Sequence, residues 1–275
     1  MNLYKSLIFI LYLGIFLVSG FRTPAQSRDS ITLYGTLDTV QVIRQRIQHA
    51  NEANAGARVT HISPAILQAN KTRSLAELLT DHTSIYIKSL GTGALSTASF
   101  RGTSASQTRV NWNGINITPP LSGTFDFSQI PVFFTDNINL YYGSSHVKNG
   151  TGAIGGSVNL FTDTDWNRGV NGRVLAEYGS YNTYTVGGQA NISGNKSASK
   201  TRLYYQHSDN DYTYLNKVLT NIPFREKRQD AAYSQFGIMQ EGYFRVSPYT
   251  RLTAVAWYQK NHRNLPQPLG VVNRS

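Results

Sequence analysis

The C-terminal part of the chain alternates between apolar and polar side chains with a period of two. In residues 183–192, Tyr184 and Val186 lie on one face and Thr185 lies on the other. Segments of about ten such residues separated by turns are typical of transmembrane β-barrel strands. A soluble β-sandwich with one hydrated face alternates in the same way, but the strand length and the many tyrosines favour the barrel. Gln240 interrupts one apolar face. The same period occurs in residues 173–178, 201–207, 235–246 and 251–258.

The preceding region, residues 59–162, contains short apolar segments joined by glycine-rich loops, which predicts a compact α+β unit. Ser63 and Pro64 begin a short helix, with serine as the N-cap and proline at the first helical position. Ser74 and Glu77 form a capping box for a second helix with a stripe of buried leucines. The remaining segments predict strands at Ser84–Lys88, Ala98–Arg101, Arg109–Trp112, Ile138–Tyr142 and Ser157–Phe161.

The N-terminus has the organisation of a secretory signal. Lys5 precedes the apolar run Leu7–Val18, and the small residues Ser19 and Gly20 follow it. A membrane anchor is the alternative, but the run is shorter than the ~20 residues that a spanning helix needs. We therefore predict an exported protein.

Residues 21–58 are polar except for the apolar island Leu37–Ile43. An isolated strand of this kind can add to the sheet of another protein through main-chain hydrogen bonds. It can equally be the first strand of the domain that follows, and the pattern leaves both readings open.

The connections between the alternating segments predict their orientation. The turns near residues 193–199 and 247–248 are short, whereas residues 208–232 are long and polar. Outer-membrane barrels have short periplasmic turns and longer outer loops. Residues 179–182, residues 208–232 and the segment after Asn261 are therefore expected outside the cell.

The 275 residues contain 26 Lys and Arg against 15 Asp and Glu, which gives a net charge of +11. The basic residues form no cluster interleaved with aromatic residues, so we expect no nucleic-acid partner. A basic surface that faces the anionic phosphates of outer-membrane lipid and lipopolysaccharide explains the positive net charge equally well. The absence of cysteine excludes disulfides, thiolate metal sites and thiol nucleophiles.

No catalytic motif is present. The six histidines include no pair at metal-ligand spacing, and the sequence contains neither a Gly-x-Ser-x-Gly elbow nor a P-loop. Gly150–Gly155 matches a dinucleotide-binding fingerprint, but it leads into the apolar segment 157–161 rather than into a helix. We therefore predict a protein that is not an enzyme and needs no cofactor or metal.

Several motifs in the middle region carry a family resemblance. The motifs are Leu75–Leu79, Gly91–Ser96, Phe100–Gly114 and Gly150–Leu160. Their order and spacing resemble the plug domain of TonB-dependent outer-membrane receptors, and most of all the cobalamin receptor branch. The resemblance implies an α+β plug domain followed by antiparallel transmembrane β-barrel strands.

The resemblance also implies a function and partners. Such receptors lie in the outer membrane of Gram-negative bacteria and import scarce bulky nutrients, of the cobalamin or iron-siderophore class. The nutrient binds on the outer face, and TonB, with ExbB and ExbD, pulls on a periplasmic TonB box to rearrange the plug. By position, the TonB box is Leu37, Asp38, Thr39, Val40, Gln41, Val42 and Ile43.

Two further sets of residues follow from the resemblance. The plug apices that would meet the ligand are Leu90, Gly91, Thr92, Gly93, Ala94, Leu95, Thr118, Pro119, Pro120, Leu121, Ser122 and Gly123. The structural motif of the plug comprises Arg101, Gly102, Asn113, Gly114, Gly152, Gly155 and Gly156.

The chain departs from the family pattern at three places. Asn113 replaces the usual Asp, and residues 139–144 lack the usual acidic residue and Arg-Gly-Pro. Arg101 is present without the second plug arginine that pairs with barrel carboxylates, which weakens the expectation of a charge pair between plug and barrel. Only about five strands follow the plug, against about 22 in plugged transporters, so we expect the N-terminal part of a longer receptor with a partial barrel.

These arguments predict four parts: a signal peptide at 1–20, a periplasmic segment at 21–58, a plug at 59–163 and the first barrel strands at 172–275. The alternative function is a secreted or surface β-rich binding or adhesion module without transport. An exported hydrolase is disfavoured, because no nucleophile and base are paired.

Overall fold

The computed structural model describes residues 58–143, 153–217 and 223–264. The predicted signal peptide, the predicted TonB box Leu37–Ile43 and the motif residue Gly152 lie outside these residues. The described chain comprises a mixed sheet with two helices, followed by five long antiparallel strands, and all of it belongs to one compact unit.

The two helices, α1 (Pro64–Ala69) and α2 (Leu75–His82), begin at the predicted serines. The hydroxyl of Ser63 accepts a hydrogen bond from the Ile66 amide at 3.3 Å. At α2, Ser74 and Glu77 form the predicted reciprocal capping box, which satisfies amides that a helix start otherwise leaves free. No helix among the described residues is long and apolar enough to cross a bilayer.

The described residues before the long strands, 58–143 and 153–163, are called the plug after the predicted domain. Its strands are β1 (Arg58–His61), β2 (Tyr86–Ser89), β3 (Ser96–Ser99), β4 (Thr108–Trp112), β5 (Ile115–Asn116), β6 (Asn137–Tyr142) and β7 (Gly156–Phe161). Five of them form a mixed sheet in the order β1-β6-β7-β4-β5, and β2 and β3 form a separate hairpin. Strand β7 lies at the centre, antiparallel to β6 and parallel to β4, and nearly all of its residues are buried.

One apolar core holds the plug together. The leucines of α2 pack with the central strands and with two 3-10 turns, Phe127–Gln129 and Val132–Phe134. The same core includes Tyr204 and Met239, which come from the long strands. The apolar core is therefore continuous between the plug and these strands, and the burial of apolar surface stabilises their contact.

The five long strands, which we call the wall, pair in the order β14-β13-β10-β9-β8. They form an antiparallel meander. Their bounds are β8 (Gly169–Gly179), β9 (Thr183–Ser193), β10 (Ser197–Ser208), β13 (Tyr233–Arg245) and β14 (Arg251–Arg263). Strands β8, β10 and β14 extend several residues beyond the predicted segments, β9 extends by one residue, and β13 begins two residues earlier and ends one residue earlier than predicted.

In the three middle strands of the wall, β9, β10 and β13, the alternation of buried and exposed residues has the predicted sense. Odd-numbered residues of β13 are mostly buried against the plug, and even-numbered residues such as Phe236 and Ile238 are exposed on the outward face. Gln240 also faces outward, where it bonds with the hydroxyls of Thr201 (2.6 Å) and Ser199 (2.9 Å). These contacts satisfy the polar side chain that interrupts the apolar face.

The region 208–232, read from the sequence as an open polar loop, contains a hairpin of β11 (Thr213–Asn216) and β12 (Phe224–Lys227). Tyr214 and Asn216 both donate to the carboxylate of Glu226, at 3.0 and 2.7 Å. Cross-strand polar pairs thus support this hairpin, which explains why no apolar periodicity marked it.

Candidate functional site at the interface of plug and wall

Aromatic side chains of the plug and of the wall pack against each other. The ring of Tyr204 on β10 lies 6.1 Å from the rings of both Phe133 and Phe134 of the plug. Its hydroxyl donates to the carbonyl of Thr72 at 2.9 Å. Gly237 on β13 leaves room for Phe134, since a Cβ atom at that glycine would lie 2.7 Å from the phenyl ring.

Beside these rings lies a charge cluster of Lys71 and Asp136 from the plug and Lys200, Arg202 and Glu241 from the wall. Arg202 is fully buried and binds Asp136, while its Nε lies 3.3 Å from Oε2 of the equally buried Glu241. Lys200 Nζ lies 3.1 Å from Asp136. Asp136 thus connects the plug to two cations of the wall.

Hydrogen bonds to main-chain carbonyls complete the cluster. Arg202 donates to the carbonyl of Phe133 at 2.9 Å, and Lys200 donates to that of Asp163. Lys71 donates to the carbonyls of Val132 and Thr135. Buried charges persist when they are paired and hydrogen-bonded. Every charge of the cluster is paired or hydrogen-bonded, although Nε of Arg202 and Oε2 of Glu241 contact each other as an ion pair without a hydrogen bond.

The cluster shifts the pKa values of its plug residues. Burial lowers the pKa of Lys71 to about 8, with Arg202 contributing in the same direction and Asp136 opposing it. Burial alone would raise the pKa of Asp136, but Arg202 and Lys200 lower it below its ordinary value. Asp136 is therefore ionised at neutral pH.

The cluster revises the expectation that charge pairing between plug and wall is weak in this chain. The carboxylate lies on the plug and the cations lie on the wall, which is the reverse of the arrangement that the resemblance implies. Sequence reasoning did not single out Asp136, Lys200 or Arg202. The available signal was weak, because it consisted only of charged residues at inward positions of the alternating pattern.

Tyr142 stands where the resemblance places the missing plug arginine. Its ring lies 5.4 Å from the Arg58 guanidinium and 5.8 Å from that of Arg101. Both distances suit cation–π contacts. The retained Arg101 thus stacks on an aromatic ring of the plug.

Near the other end of the wall, a cavity of about 400 Å³ lies between α2, the β2–β3 hairpin and the ends of β10, β13 and β14. We call it the crevice. The wall residues at this end belong to the side that the sequence predicts to face outside. Residues lining the crevice include Glu77, Thr80, Gln129, Gln206, Gln235 and Asn261.

Uncharged carboxamides span the interface at and below the crevice. Gln235 and Gln259 both donate to the carbonyl of Gln129. Gln206 approaches the carbonyl of Thr72 at 3.4 Å. These contacts join wall side chains to plug backbone, and none of them is ionic.

The first predicted apex, Leu90–Leu95, is the loop of the β2–β3 hairpin and rests on the end of the wall that the sequence predicts to face outside. Asn210 donates to the Thr92 carbonyl at 3.2 Å, and Arg263 approaches the Gly93 carbonyl at 3.5 Å. Gly93 has a φ of +69° and lies so close to the Tyr233 ring that a Cβ atom would clash with it. The loop is therefore seated on the wall beside the crevice.

The second predicted apex, Thr118–Gly123, is a turn with internal contacts. The Thr118 hydroxyl accepts from the Val110 amide at 3.1 Å, and the Gly123 amide donates to the Pro119 carbonyl at 3.0 Å. Leu121 is fully exposed at the tip. Whether either apex meets a ligand stays a prediction.

The predicted motif residues form turns of the plug. Arg101, Gly102, Asn113 and Gly114 all have positive φ. The side chain of Asn113 donates to the hydroxyl of Thr162 and accepts from the main-chain amide of Thr162, both at 2.9 Å. The carboxamide thus stabilises the turn at Asn113 and Gly114.

Two of the motif glycines permit close packing. A Cβ atom on Gly155 would overlap the side chain of Thr103, and one on Gly156 would lie 2.8 Å from the Phe100 ring. Gly156 begins strand β7 directly, and no helix follows this glycine-rich segment. The segment therefore leads into a strand, as the sequence predicts.

Residues 51–157 match the family model of the TonB-dependent Receptor Plug Domain. In sequence, the chain is 32% identical over 135 residues to a vitamin B12 transporter BtuB of Photobacterium profundum, a match that covers 49% of this chain and 22% of that protein. A BtuB of Vibrio cholerae is 32% identical over 126 residues, which cover 46% and 20% of the two chains. The chain thus spans about a fifth of the length of these relatives.

Solved structures share the fold. The siderophore receptor PiuA of Acinetobacter baumannii superposes with a TM-score of 0.54 at 21% identity, over 74% of this chain and 26% of that one. The pyoverdine receptor FpvA of Pseudomonas aeruginosa gives 0.57 at 16% identity, over 74% and 27%. These similarities confirm the predicted fold class, a plug domain followed by antiparallel strands of a partial barrel. Residues 51–157 therefore match the plug domain of TonB-dependent receptors, the described chain shares its fold with solved receptors of this kind, and the sequence is similar to that of vitamin B12 transporters.

Proposed function

We propose that the protein to which this chain belongs is an outer-membrane receptor that imports a scarce bulky nutrient by ligand binding and force-gated rearrangement of the plug. The observation that carries the proposal is the seating of the plug. The charge cluster around Arg202 ties it to the wall, while the Leu90–Leu95 loop lies at the outer end beside an open crevice. A plug that is anchored to the wall at one place and borders an open crevice at another can move aside there and let a bound ligand pass.

The named relatives narrow the ligand to two classes. The sequence relatives are vitamin B12 transporters, and the structural neighbours include receptors for siderophores. We propose cobalamin as the first ligand to test and ferric siderophores as the second. No relative reported above is an enzyme, in agreement with the absence of a catalytic motif.

The finer assignments belong to the same proposal. TonB, acting with ExbB and ExbD, would pull on Leu37–Ile43 from the periplasm, and the ligand would bind at Leu90–Leu95 and Thr118–Gly123. Outer-membrane lipid and lipopolysaccharide would contact the apolar outward face of the wall. We also propose the boundaries 1–20, 21–58, 59–163 and 172–275 for the signal peptide, periplasmic segment, plug and first barrel strands.

The experiment is binding and uptake with the full-length gene. Purified receptor is titrated with cyanocobalamin, and a knockout strain with and without the gene is tested for uptake of radiolabelled cyanocobalamin and of a ferric siderophore. We expect saturable binding and gene-dependent uptake of one of them. A receptor that is water-soluble without detergent and restores no uptake would support the adhesion-module alternative instead.

A further inference from the structure

We propose that the plug opens along the crevice while the charge cluster stays closed, so that the ligand passes between α2 and the ends of β10, β13 and β14. This inference rests on the proposed function. It assigns the two sides of one interface different roles, a hinge on the side of Asp136 and a passage on the side of Gln129.

The hinge side resists separation because its contacts are buried ion pairs. Pulling Asp136 away would leave Arg202, which is fully buried, without its plug partner and would uncouple Lys200 as well. Breaking a buried pair by removing one partner is strongly unfavourable, because the remaining charge has lost its solvation. The aromatic packing of Tyr204 on Phe133 and Phe134 adds to this resistance.

The passage side separates more easily because most of its contacts are neutral, and its ion pair between plug and wall, Arg263–Asp126, includes a partly exposed guanidinium instead of the fully buried one of Arg202. The amides of Gln235 and Gln259 donate to a single plug carbonyl, that of Gln129. Exchange of such bonds for bonds to water or to a ligand changes the free energy little. Oε1 of Gln259, next to these contacts, is buried and accepts no hydrogen bond among the described residues.

The charged residues around the crevice already have partners, either within the plug or between the plug and the wall. Arg73 binds Asp81 at 2.5 Å, and Arg263 binds Asp126 at 3.0 Å. Glu77 is engaged in the capping box of α2. The passage therefore offers mainly hydroxyl and carboxamide groups, which suit a ligand with neutral donors and acceptors.

Two covalent ties test the proposal in the full-length receptor. The crevice tie joins cysteines at Gln129→Cys and Gln235→Cys with a short bis-maleimide. The matched control joins Asp163→Cys and Arg251→Cys, two half-exposed residues whose side chains meet at 3.1 Å on the hinge side. Uptake of radiolabelled cyanocobalamin and binding of cyanocobalamin at the cell surface are measured before and after crosslinking.

We expect the crevice tie to reduce uptake by about tenfold or more with unchanged surface binding, since it prevents the opening motion. The control tie should change uptake less than about twofold. Equal loss of uptake with both ties, or unchanged uptake with the crevice tie, would overturn the proposal. A receptor without uptake before crosslinking would contradict the choice of cobalamin in the proposed function and not the hinge.

A second readout needs no ligand. Single cysteines at Gln235→Cys and at Met239→Cys, a buried residue opposite Arg202 on the wall, are labelled with a maleimide in cells with and without TonB. TonB should accelerate labelling of the first cysteine only. Acceleration at Met239→Cys, or at neither position, would contradict the division into hinge and passage.

Discussion

At the scale of single residues, Arg202 shows how the chain replaces an expected contact with a different one. The guanidinium has no access to solvent, and it is stabilised by Asp136 of the plug, Glu241 of the neighbouring strand and a main-chain carbonyl. The two carboxylates lie on different parts of the fold. If Asp136 is removed, Arg202 keeps only Glu241 as a carboxylate partner. If Glu241 is removed, the ion pair between Arg202 and Asp136 of the plug remains.

We expect Asp136→Asn to lower the free energy of unfolding of the plug by about 3 kcal/mol, because Arg202 loses a buried partner. Asp81→Asn is the matched control, since its ion pair with Arg73 is nearly half exposed and should contribute less than about 1 kcal/mol. Protease digestion of the plug in denaturant measures both. Equal losses of stability in the two variants would show that the buried ion pair of Asp136 and Arg202 contributes no more than the exposed one.

The lowered pKa of Lys71 predicts a pH effect. The folded protein loses this proton near pH 8 and the unfolded chain near 10.5, so the unfolded state binds more protons between these values. Stability should therefore rise with pH in this window, by about 2 kcal/mol between pH 8 and 9.5. The rise is to be measured as the unfolding midpoint relative to Lys71→Met. The same pH dependence in both proteins would contradict the assignment.

At the scale of elements, β13 contacts the plug through one face only. Inward-facing residues such as Gly237 and Met239 pack on the plug, whereas Gln240 bonds only to residues of the wall in the contacts described above. The period of two in the sequence therefore distinguishes the β13 residues that contact the plug from those that face outward.

This division predicts different results for two strand glycines. Gly237→Ala places a Cβ atom 2.7 Å from the Phe134 ring, and we expect a loss of about 1–3 kcal/mol in plug stability. Gly188→Ala on β9 is the control, because its Cβ atom would meet nothing within 4 Å. Both are measured by protease sensitivity of the plug. Similar sensitivity of the two variants would argue against tight seating at Phe134.

The elements that could be predicted are those with strong local signals. The capping box at Ser74 and the alternation in the wall depend on neighbouring residues, and both are present in the structure. The β11–β12 hairpin was missed because its strands have four residues each and few apolar positions. The charge cluster was missed for a different reason. Asp136 meets Arg202 only through the register of plug and wall, and no local pattern encodes that register.

At the scale of the whole molecule, plug and wall are two consecutive parts of one chain that share a core. Met239 and Tyr204 of the wall belong to the apolar core of the plug. The plug therefore packs on the wall through a shared core and is not a separately packed domain. In the import that we propose, the motion that admits a ligand breaks part of this interface, and we propose that it does so at the crevice.

The central claim is that force applied to the predicted TonB box drives import. The most direct measurement compares cells that carry the full-length receptor with and without Leu37–Ile43, scoring cyanocobalamin binding at the surface and accumulation inside. We expect binding to persist and accumulation to fall to the level of cells that lack TonB. Accumulation that continues undiminished after the deletion would contradict the account.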